Sequence, residues 1–426
     1  MFKSETTSKI ASNTIYQIIG KVVSLSITVL ATVIITRAYG REGYGAFSLM
    51  QSWPALFFVI VDFGINAIVT RELSKDWTNA RKYLGNILII RVLFSIFLIL
   101  FISVILNFFP YSHELKSGIR LGLFLLLTQA LYSTTNIFFQ VKLRYDYSTI
   151  AYSVGYLVIL GLVVALSYFK IGVIWVNFSY VVGGLVTFLI SFLFVKQLGV
   201  TPDFTFDISL WKYLIISALP IGIMFCFSQV SFKQDSLMIS AMKLPASYGF
   251  NNTESVALYA LPYKIFDVML VVPTFFMNAA YPIMVKHMLE GKEKLKYTFS
   301  RIIYFLLLTG LLVGVIGVIL SPLAINTVGG SEFAQSILVL KILAGGIFVF
   351  YLTQPIAWLI VTLDRQRRLP LIYFFSAVFN FVTNLIYIPK YSFYAAATTT
   401  IVTEFVILIL LIITASKSWK EKYAQS

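Results

Sequence analysis

Long apolar runs separated by short polar breaks cover the chain from end to end. Each run has about 20 residues and is long enough to cross the hydrocarbon core of a bilayer as a helix. The pattern predicts an all-α polytopic membrane protein with about twelve transmembrane helices. The spans are expected at residues 13–37, 44–70, 84–108, 118–140, 149–169, 172–195, 213–242, 256–283, 298–320, 335–361, 370–388 and 393–414.

The two halves of the chain repeat one feature at the same spacing. Lys21 precedes Phe47 by 26 residues (47 − 21), and Lys233 precedes Tyr259 by the same number (259 − 233). With six spans in each half, both halves have the same orientation in the membrane, as in parallel transporter repeats. We therefore expect two six-helix lobes related by a parallel pseudo-twofold repeat: an N-terminal lobe at 1–196, a cytoplasmic linker at 197–210 and a C-terminal lobe at 211–426.

Lysine and arginine are distributed unevenly between the two sets of loops. About twenty lie on the side that holds both termini and about seven on the other side. Positive loops stay in the cytoplasm, so both termini are expected to be cytoplasmic. The same loops account for much of the net charge of +15, which requires no nucleic-acid partner.

Composition and loop length exclude several classes of function. Only 12% of residues are charged, against about 25% in a typical soluble domain. Cys226 is the only cysteine, so no internal disulfide forms, and His113 and His287 lie too far apart to indicate a metal site. No loop exceeds about fifteen residues, and no motif of a hydrolase or nucleotide-binding enzyme occurs. We therefore expect a protein that is not an enzyme and has no metal or redox cofactor.

Ionisable residues inside the predicted spans are the candidate functional groups. A charge at the centre of a spanning helix costs about 2.5–3.5 kcal/mol, and such residues usually face the bundle interior or a water-filled cavity. The basic ones outnumber the acidic ones, which predicts a cavity that binds an anion such as phosphate or diphosphate. The basic residues are Lys21, Arg91, Lys233, Lys264 and Lys341, and the acidic ones are Asp62, Asp235, Asp267 and Glu404.

Polar residues at helical spacing accompany two of these lysines. One stripe contains Asn13, Gln17, Lys21, Ser24, Thr28 and Thr32, and the other contains Cys226, Gln229, Lys233, Ser236, Ser240 and Lys243. Such stripes line either a cavity or a packed contact between helices. A salt bridge between Lys264 and Asp267, three residues apart, is an equally good interpretation of that pair.

Several segments resemble the Wzx-type polysaccharide-unit flippases of the multidrug/oligosaccharidyl-lipid/polysaccharide exporter superfamily, which include O-antigen flippases. Gly43-Tyr44-Gly45 opens the second helix, Phe63-Gly64 precedes Arg71, and Lys233-Gln234-Asp235 lies in the seventh helix, with a lysine where arginine is common. The segments are REGYGAFSLMQSW (41–53), DFGINAIVTREL (62–73), ALPIGIMFCFSQVSFKQDSLMIS (218–240) and VALYALPYKIFDVMLVVPTFFMNAAYPIMVK (256–286).

The resemblance implies an alternating-access carrier in the bacterial inner membrane. Such a carrier moves a polyprenyl-diphosphate-linked oligosaccharide from the cytoplasmic to the outer leaflet, without making or breaking bonds, for assembly of a cell-surface polysaccharide. Its partners would be membrane lipid and, in addition, a polysaccharide polymerase or other assembly proteins. The residues expected to bind the diphosphate and glycan are Lys21, Arg91, Lys233 and Lys264. Proton or sodium coupling is usual in the superfamily, and the candidate carboxylates are Asp235, Asp267 and Glu404.

Three other functions are compatible with parts of the pattern. A drug or metabolite exporter of the same superfamily would be expected to have an acidic or aromatic cavity, which the five basic groups disfavour. A carrier of the major facilitator class would have a charged glycine-rich motif after the second helix, where this chain has TRELSKDWTNARKYLG. A glycan polymerase or ligase would need a larger outer loop.

The charge bias predicts the topology. Reporter fusions at Lys82, Lys294 and Lys420 are expected to report a cytoplasmic location, and fusions at Lys116, Lys170 and Asn252 an external one. An external signal at Lys294 would remove one span from the count and contradict the parallel repeat.

Overall fold

The computed structural model describes residues 2–424. Some side chains lie outside the described part of the structure. They are those of residues 2–15, which include Asn13 of the first polar stripe, and those of positions 220, 221, 224, 228 and 230–232. The described chain folds into fourteen α-helices with a few single 3₁₀ turns between them, and residues 2–424 contain no strand. The helices are α1 (Phe2–Asp62), α2 (Ile65–Lys75), α3 (Ala80–Ile105), α4 (His113–Gly122), α5 (Phe124–Val141), α6 (Tyr145–Tyr168), α7 (Val173–Gln197), α8 (Ile208–Ala241), α9 (Asn252–Met269), α10 (Val271–Glu290), α11 (Lys292–Val328), α12 (Ser336–Gly345), α13 (Ile347–Thr362) and α14 (Leu369–Tyr423).

The lengths of these helices account for the predicted number of spans. Within the described residues, eight helical stretches are long and apolar enough to cross a membrane, and α12 with α13 forms a ninth that bends by 41°. Helices α1 and α14 have 61 and 55 residues, so each is more than twice the thickness of a hydrocarbon core of about 30 Å. Each contains one non-helical residue, Gly40 or Ser392, that divides it into two spans. Together with α8, of 34 residues, the described helices supply the twelve predicted spans, and the all-α polytopic fold is confirmed.

The chain forms two compact units. Unit 1 is Met1–Gln229 and unit 2 is Val230–Ser426, so the division falls inside α8. The linker predicted at 197–210 has no helix between residues 201 and 207, and this part of the chain packs within unit 1. The lobe boundaries placed on either side of that linker stay a prediction.

Several spans are interrupted where the sequence predicts one continuous helix. The second span breaks at Phe63 and Gly64, whose φ angles are 39° and 76°, and the tenth breaks at Gly346 between α12 and α13. Shorter interruptions occur at Leu123 in the fourth span and at Leu270 in the eighth. Prolines inside α1, α9 and α13 do not end those helices. The left-handed backbone at Phe63 and Gly64 therefore sets the break in the second span, whereas the prolines inside α1, α9 and α13 end no helix.

A buried apolar cluster in unit 1 holds the ends of five helices together. It joins α2, α3, α5, α7 and the first turns of α8, and it includes Leu73, Leu84, Phe138, Val195 and Leu214. Aromatic and aliphatic side chains of this size each contribute about 1.5–3 kcal/mol when they are fully buried. The segment before α8 lies on the surface of this apolar cluster.

Asn86 fastens that segment to α3. Its side chain is completely buried, and its Nδ2 donates to the carbonyl oxygens of Lys82 and Thr205, both at 2.9 Å. Its Oδ1 accepts from the backbone N–H of Asp207 at 3.1 Å and from Nε1 of Trp211 at 2.8 Å. One amide thus satisfies polar groups of both chain segments at the edge of an apolar core.

Two neighbouring features reinforce this contact. A Cβ at Gly85 would collide with the backbone carbonyl of Asp203, so only glycine allows the segment to lie this close to α3. Asp207 accepts from the backbone N–H of Leu210 at 2.9 Å and forms a salt bridge of 2.6 Å with Lys82. The hydrogen bond from Lys82 is the main cause that lowers the pKa of the Asp207 carboxyl group below its usual value. The stabilisation that this pKa shift brings is therefore present above the ordinary carboxyl pKa and lost as the pH falls below it.

We expect replacement of Asn86 by leucine to lower the free energy of unfolding by roughly 2–4 kcal/mol, because it leaves buried backbone and indole groups without partners. The decrease should appear as a lower midpoint of thermal unfolding of the purified protein. Asn278→Leu, at an exposed position on α10, is the matched control and should change stability by no more than about 0.5 kcal/mol. Equal midpoints for the two variants would contradict the role of Asn86.

Candidate functional site

Lys21 lies on an exposed part of α1 in unit 1. Among the described residues no carboxylate forms an ion pair with it. Its neighbour Gly20 packs against α6, where a Cβ would lie 3.2 Å from the side chain of Thr149. The Thr149 hydroxyl group donates to the carbonyl oxygen of Tyr16 at 2.9 Å. Lys21 is therefore beside the contact between α1 and the first turns of α6.

The hydroxyl groups of the first polar stripe bond to their own helix. Ser24 donates to the carbonyl oxygen of Lys21 at 2.9 Å, and Thr32 donates to that of Thr28 at 2.8 Å. Both side chains are buried, and Ser240 of the second stripe is also buried and bonds to the carbonyl oxygen of Leu237. These buried hydroxyl groups fit a packed contact between helices rather than the lining of a cavity.

Arg91 occupies a different environment from the open cavity that the sequence predicted for it. Its side chain is fully buried in unit 1. One terminal nitrogen, Nη2, donates to Asp62 at 2.7 Å and to Asn66 Oδ1 at 2.9 Å. The other, Nη1, donates to Thr134 at 2.9 Å and to the carbonyl oxygen of Ala130 at 3.2 Å.

The partners of Arg91 explain what it stabilises. Asp62 and Asn66 lie on either side of the break at Phe63 and Gly64, so the guanidinium group joins the two parts of the second span. Asn66 also donates to Ser133 on α5 at 2.7 Å. Removal of one partner from such a buried ion pair typically costs 3–5 kcal/mol, because the other charge is left uncompensated. Arg91 therefore holds the two parts of the second span together, and its role in binding the diphosphate stays a prediction.

The basic residues predicted in the second half lie in unit 2 and differ in exposure. Lys233, on α8, is half-buried, and its Nζ lies 5.9 Å from the centre of the Tyr263 ring. Lys264 and Lys341 are exposed, and Asp267 is half-buried. Lys264 and Asp267 each have an electrostatic or hydrogen-bonding interaction of their own.

Asp235 is the centre of a buried polar cluster in unit 2. Its Oδ2 accepts from the Tyr259 hydroxyl group at 2.6 Å and from the Thr400 hydroxyl group at 2.9 Å. Its Oδ1 accepts from Nδ2 of Asn384 at 2.7 Å. The carboxylate is only 1% exposed, so these three donors replace the water that it loses.

Amide groups continue this cluster along α14. Asn380 Oδ1 accepts from Gln234 at 2.5 Å and from Asn384 at 3.0 Å, and Asn380 Nδ2 donates to Thr403 at 3.2 Å. Asn384 Oδ1 is buried and has no hydrogen-bond partner among the described atoms. Beside Thr403, the buried Glu404 accepts from Thr353 at 2.5 Å. A buried acceptor without a donor is exceptional, and it makes this cluster a candidate binding site.

Sequence reasoning singled out Asp235 and Glu404 but not their partners. Asn380 and Asn384 stand four residues apart in the apolar run FNFVTNLIY, which places both amides on one helix face. That spacing is a usable signal. Tyr259 and Thr400, by contrast, come from helices whose position against α8 only the tertiary structure supplies.

Similar folds occur in proteins of known structure that share little sequence with this chain. A structure of the lipid II flippase MurJ in an inward closed conformation matches with a TM-score of 0.76 at 13% identity, covering 96% of this chain and 90% of that one. An inward-facing multidrug resistance MATE family transporter of the MOP superfamily matches with a TM-score of 0.75 at 13% identity, covering 96% of this chain and 98% of that one. A MOP superfamily transporter from Pyrococcus furiosus, described as having a binding pocket of reverse polarity, matches with a TM-score of 0.68 at 16% identity, covering 98% and 96% of the two chains.

Sequence comparison with curated proteins gave no significant match. The model of one family, described as "Polysaccharide biosynthesis protein", matches residues 10–288, well over half of the chain. These residues include the segments around Gly43-Tyr44-Gly45 and Lys233-Gln234-Asp235 on which the resemblance depends. The chain therefore belongs to the polysaccharide biosynthesis protein family, and it has the fold of the MOP superfamily transporters.

Proposed function

We propose that this protein is a flippase that moves a polyprenyl-diphosphate-linked oligosaccharide from the cytoplasmic to the outer leaflet of a bacterial inner membrane. It would work by alternating access with both termini in the cytoplasm, and the lipid tail would stay in the bilayer. The reaction is transport without covalent chemistry. The family assignment and the fold of flippases and exporters support this proposal.

The observation that carries the proposal is the presence of a lysine without a described carboxylate partner in a span of each unit. Lys21 of unit 1 and Lys233 of unit 2 are at least partly exposed, in contrast to Arg91, which is enclosed and paired with Asp62. An unpaired ammonium group at membrane depth is costly unless a ligand or water compensates it. A diphosphate group, with its several charged oxygens, is a suitable ligand. We therefore propose that Lys21, in unit 1, and Lys233, in unit 2, each bind the diphosphate during transport, and we keep Lys264, in unit 2, as a further candidate.

The charges also separate this function from drug export, the main alternative. The fold resembles a multidrug transporter about as closely as it resembles a lipid flippase, so the fold does not distinguish the two. A site for cationic drugs would repel them with lysine ammonium groups, whereas a site for a diphosphate would use those groups as ligands. The basic character of the spans thus favours an anionic cargo.

The cluster around Asp235 is the proposed site of ion coupling. It offers carboxylate, hydroxyl and amide oxygens, including the unpartnered Asn384 Oδ1, and hard monovalent cations and protons bind to such oxygens. Binding of either ion would change which of the three donors stays bonded to the carboxylate. Because the donors come from α9 and two parts of α14, the ion would alter the packing of unit 2.

Lys21→Ala and Lys233→Ala are each expected to lower transport of the lipid-linked glycan by about 10- to 100-fold, because each removes one charge-assisted contact of about 1.5–3 kcal/mol. The readout is lipid-linked glycan that reaches the outer leaflet of cells whose own copy of the gene is deleted. Lys390→Ala, at another exposed lysine, is the matched control and should transport normally with the same amount of protein in the membrane. Normal transport by both test variants would show that these lysines do not bind cargo.

Asp235→Asn is expected to abolish the dependence of transport on the coupling ion, since it removes the charge that the ion neutralises. Transport is measured in proteoliposomes with an imposed sodium gradient or an imposed pH gradient. The wild type should respond to at least one gradient and Asp235→Asn to neither, while Glu404→Gln shows whether the second buried carboxylate contributes. A variant at Asp235 that keeps the wild-type response would rule out this cluster as the coupling site.

A further inference from the structure

A ladder of four tyrosines lies in unit 1. We use "tyrosine ladder" for Tyr132 of α5, Tyr152 and Tyr156 of α6, and Tyr180 of α7. The rings of Tyr132 and Tyr152 stack with their centres 5.6 Å apart, and those of Tyr152 and Tyr156 are 4.6 Å apart. Tyr180 is near enough to Tyr156 for an electrostatic interaction between their hydroxyl groups, and its ring contacts Phe47 of α1.

The ladder extends through much of the membrane. Tyr152 lies seven residues after the start of α6, which is about 10 Å from that end of the helix. Tyr180 lies seven residues after the start of α7, which follows α6 through a short turn and so begins at the opposite side of the membrane. Since α6 has 24 residues and is about 36 Å long, the ladder covers roughly the central 15 Å.

Buried aromatic residues of α1 contact the Tyr180 end of the ladder. Phe47 lies 5.4 Å from Tyr180 between ring centres and 6.3 Å from Tyr44, and both of these α1 residues are buried. The four tyrosines themselves are only half-buried. Each of them therefore keeps some accessible surface, unlike core residues such as Phe138.

Hydrogen-bonding groups accompany three of the four rings. The Tyr132 hydroxyl group lies 3.0 Å from that of Ser148, which donates to Asn136 at 2.7 Å. The hydroxyl groups of Tyr152 and Tyr156 are 3.0 Å apart. Tyrosines that anchor a protein at the membrane surface direct their hydroxyl groups to the headgroups. The hydroxyl groups of Tyr152 and Tyr156 bond to each other inside the fifth span, so these two residues do not serve as such an anchor.

We propose that the tyrosine ladder binds the sugar rings of the cargo during transport, an inference that rests on the proposed function. A pyranose ring has an apolar face of C–H groups, which stacks on an aromatic face, and a rim of hydroxyl groups, which bond to tyrosine, serine and asparagine. Tyrosine supplies both kinds of contact on one rigid side chain. Neighbouring rings at the Tyr132 end of the ladder lie only 4.6–5.6 Å apart. A glycan that moves along the ladder can therefore keep contact with one ring while it reaches the next.

The position of Lys21 fits this assignment. Thr149 contacts the turn of α1 that carries Lys21, and Tyr152 lies three residues further along α6, about one helical turn. A diphosphate bound at Lys21 therefore places the first sugar near the Tyr132 and Tyr152 end of the ladder. Successive sugars would extend along α6 toward Tyr156 and Tyr180.

The test compares two probes on purified protein in nanodiscs. One probe is the polyprenyl-diphosphate-linked glycan purified from cells that lack the transporter, and the other is polyprenyl diphosphate that carries no sugar. The wild type should bind the glycan-bearing probe more tightly. The double variant Tyr152→Leu/Tyr156→Leu should lose about two- to tenfold of that affinity for each ring removed, with unchanged affinity for the sugar-free probe.

Two controls separate stacking from other effects. Tyr152→Phe/Tyr156→Phe keeps the rings and should retain most of the preference for the glycan, and Tyr168→Leu, at an exposed tyrosine on α6 outside the ladder, should bind as the wild type does. Equal affinity of the wild type for the two probes would overturn the ladder assignment and leave the proposed diphosphate site in place. Absence of binding to either probe would overturn the proposed function and the ladder with it.

Discussion

The low dielectric constant of the bilayer interior is the constraint on which the rest of this structure depends. A charged or polar group at that depth must find a protein partner, water or a ligand. Arg91 and Asp235 are nearly or completely buried and meet the requirement with several hydrogen bonds each. Lys21 and Lys233 have no described carboxylate partner and keep part of their surface exposed, and this difference separates structural charges from candidate binding groups.

The same constraint governs the backbone. A break in a spanning helix frees N–H and C=O groups, so it is tolerated only where other groups compensate. In the second span the break at Phe63 and Gly64 lies next to Asp62, and the guanidinium group of Arg91 bonds on both sides of it. Elsewhere in unit 1, Asn86 performs a similar function for the non-helical segment before α8. Buried polar side chains thus allow these spans and connections to depart from regular helix.

Fold and function are determined by different features of this chain. Its fold is shared with a lipid II flippase and with multidrug transporters at 13% identity, so the fold permits more than one cargo. The proposed cargo follows from side chains set on that fold: lysines for a diphosphate, tyrosines for sugars and the Asp235 cluster for an ion. The tyrosines lie in unit 1 and the Asp235 cluster lies in unit 2, and none of the three sets requires a separate extramembrane domain.

The sequence by itself determined the class, the twelve spans and the family, because apolar length is a local property that each span carries in its own residues. It also identified Lys21, Lys233, Asp235 and Glu404 as exceptional, since a charge in an apolar run is visible without any structure. It did not determine which charges are paired. Asp62 and Arg91 are 29 residues apart, and Asp235 and Thr400 are 165 apart, so only the packing of helices brings them within hydrogen-bond distance. The tyrosine ladder was decided in the same way, because its rings come from three helices and each ring looks ordinary in its own span.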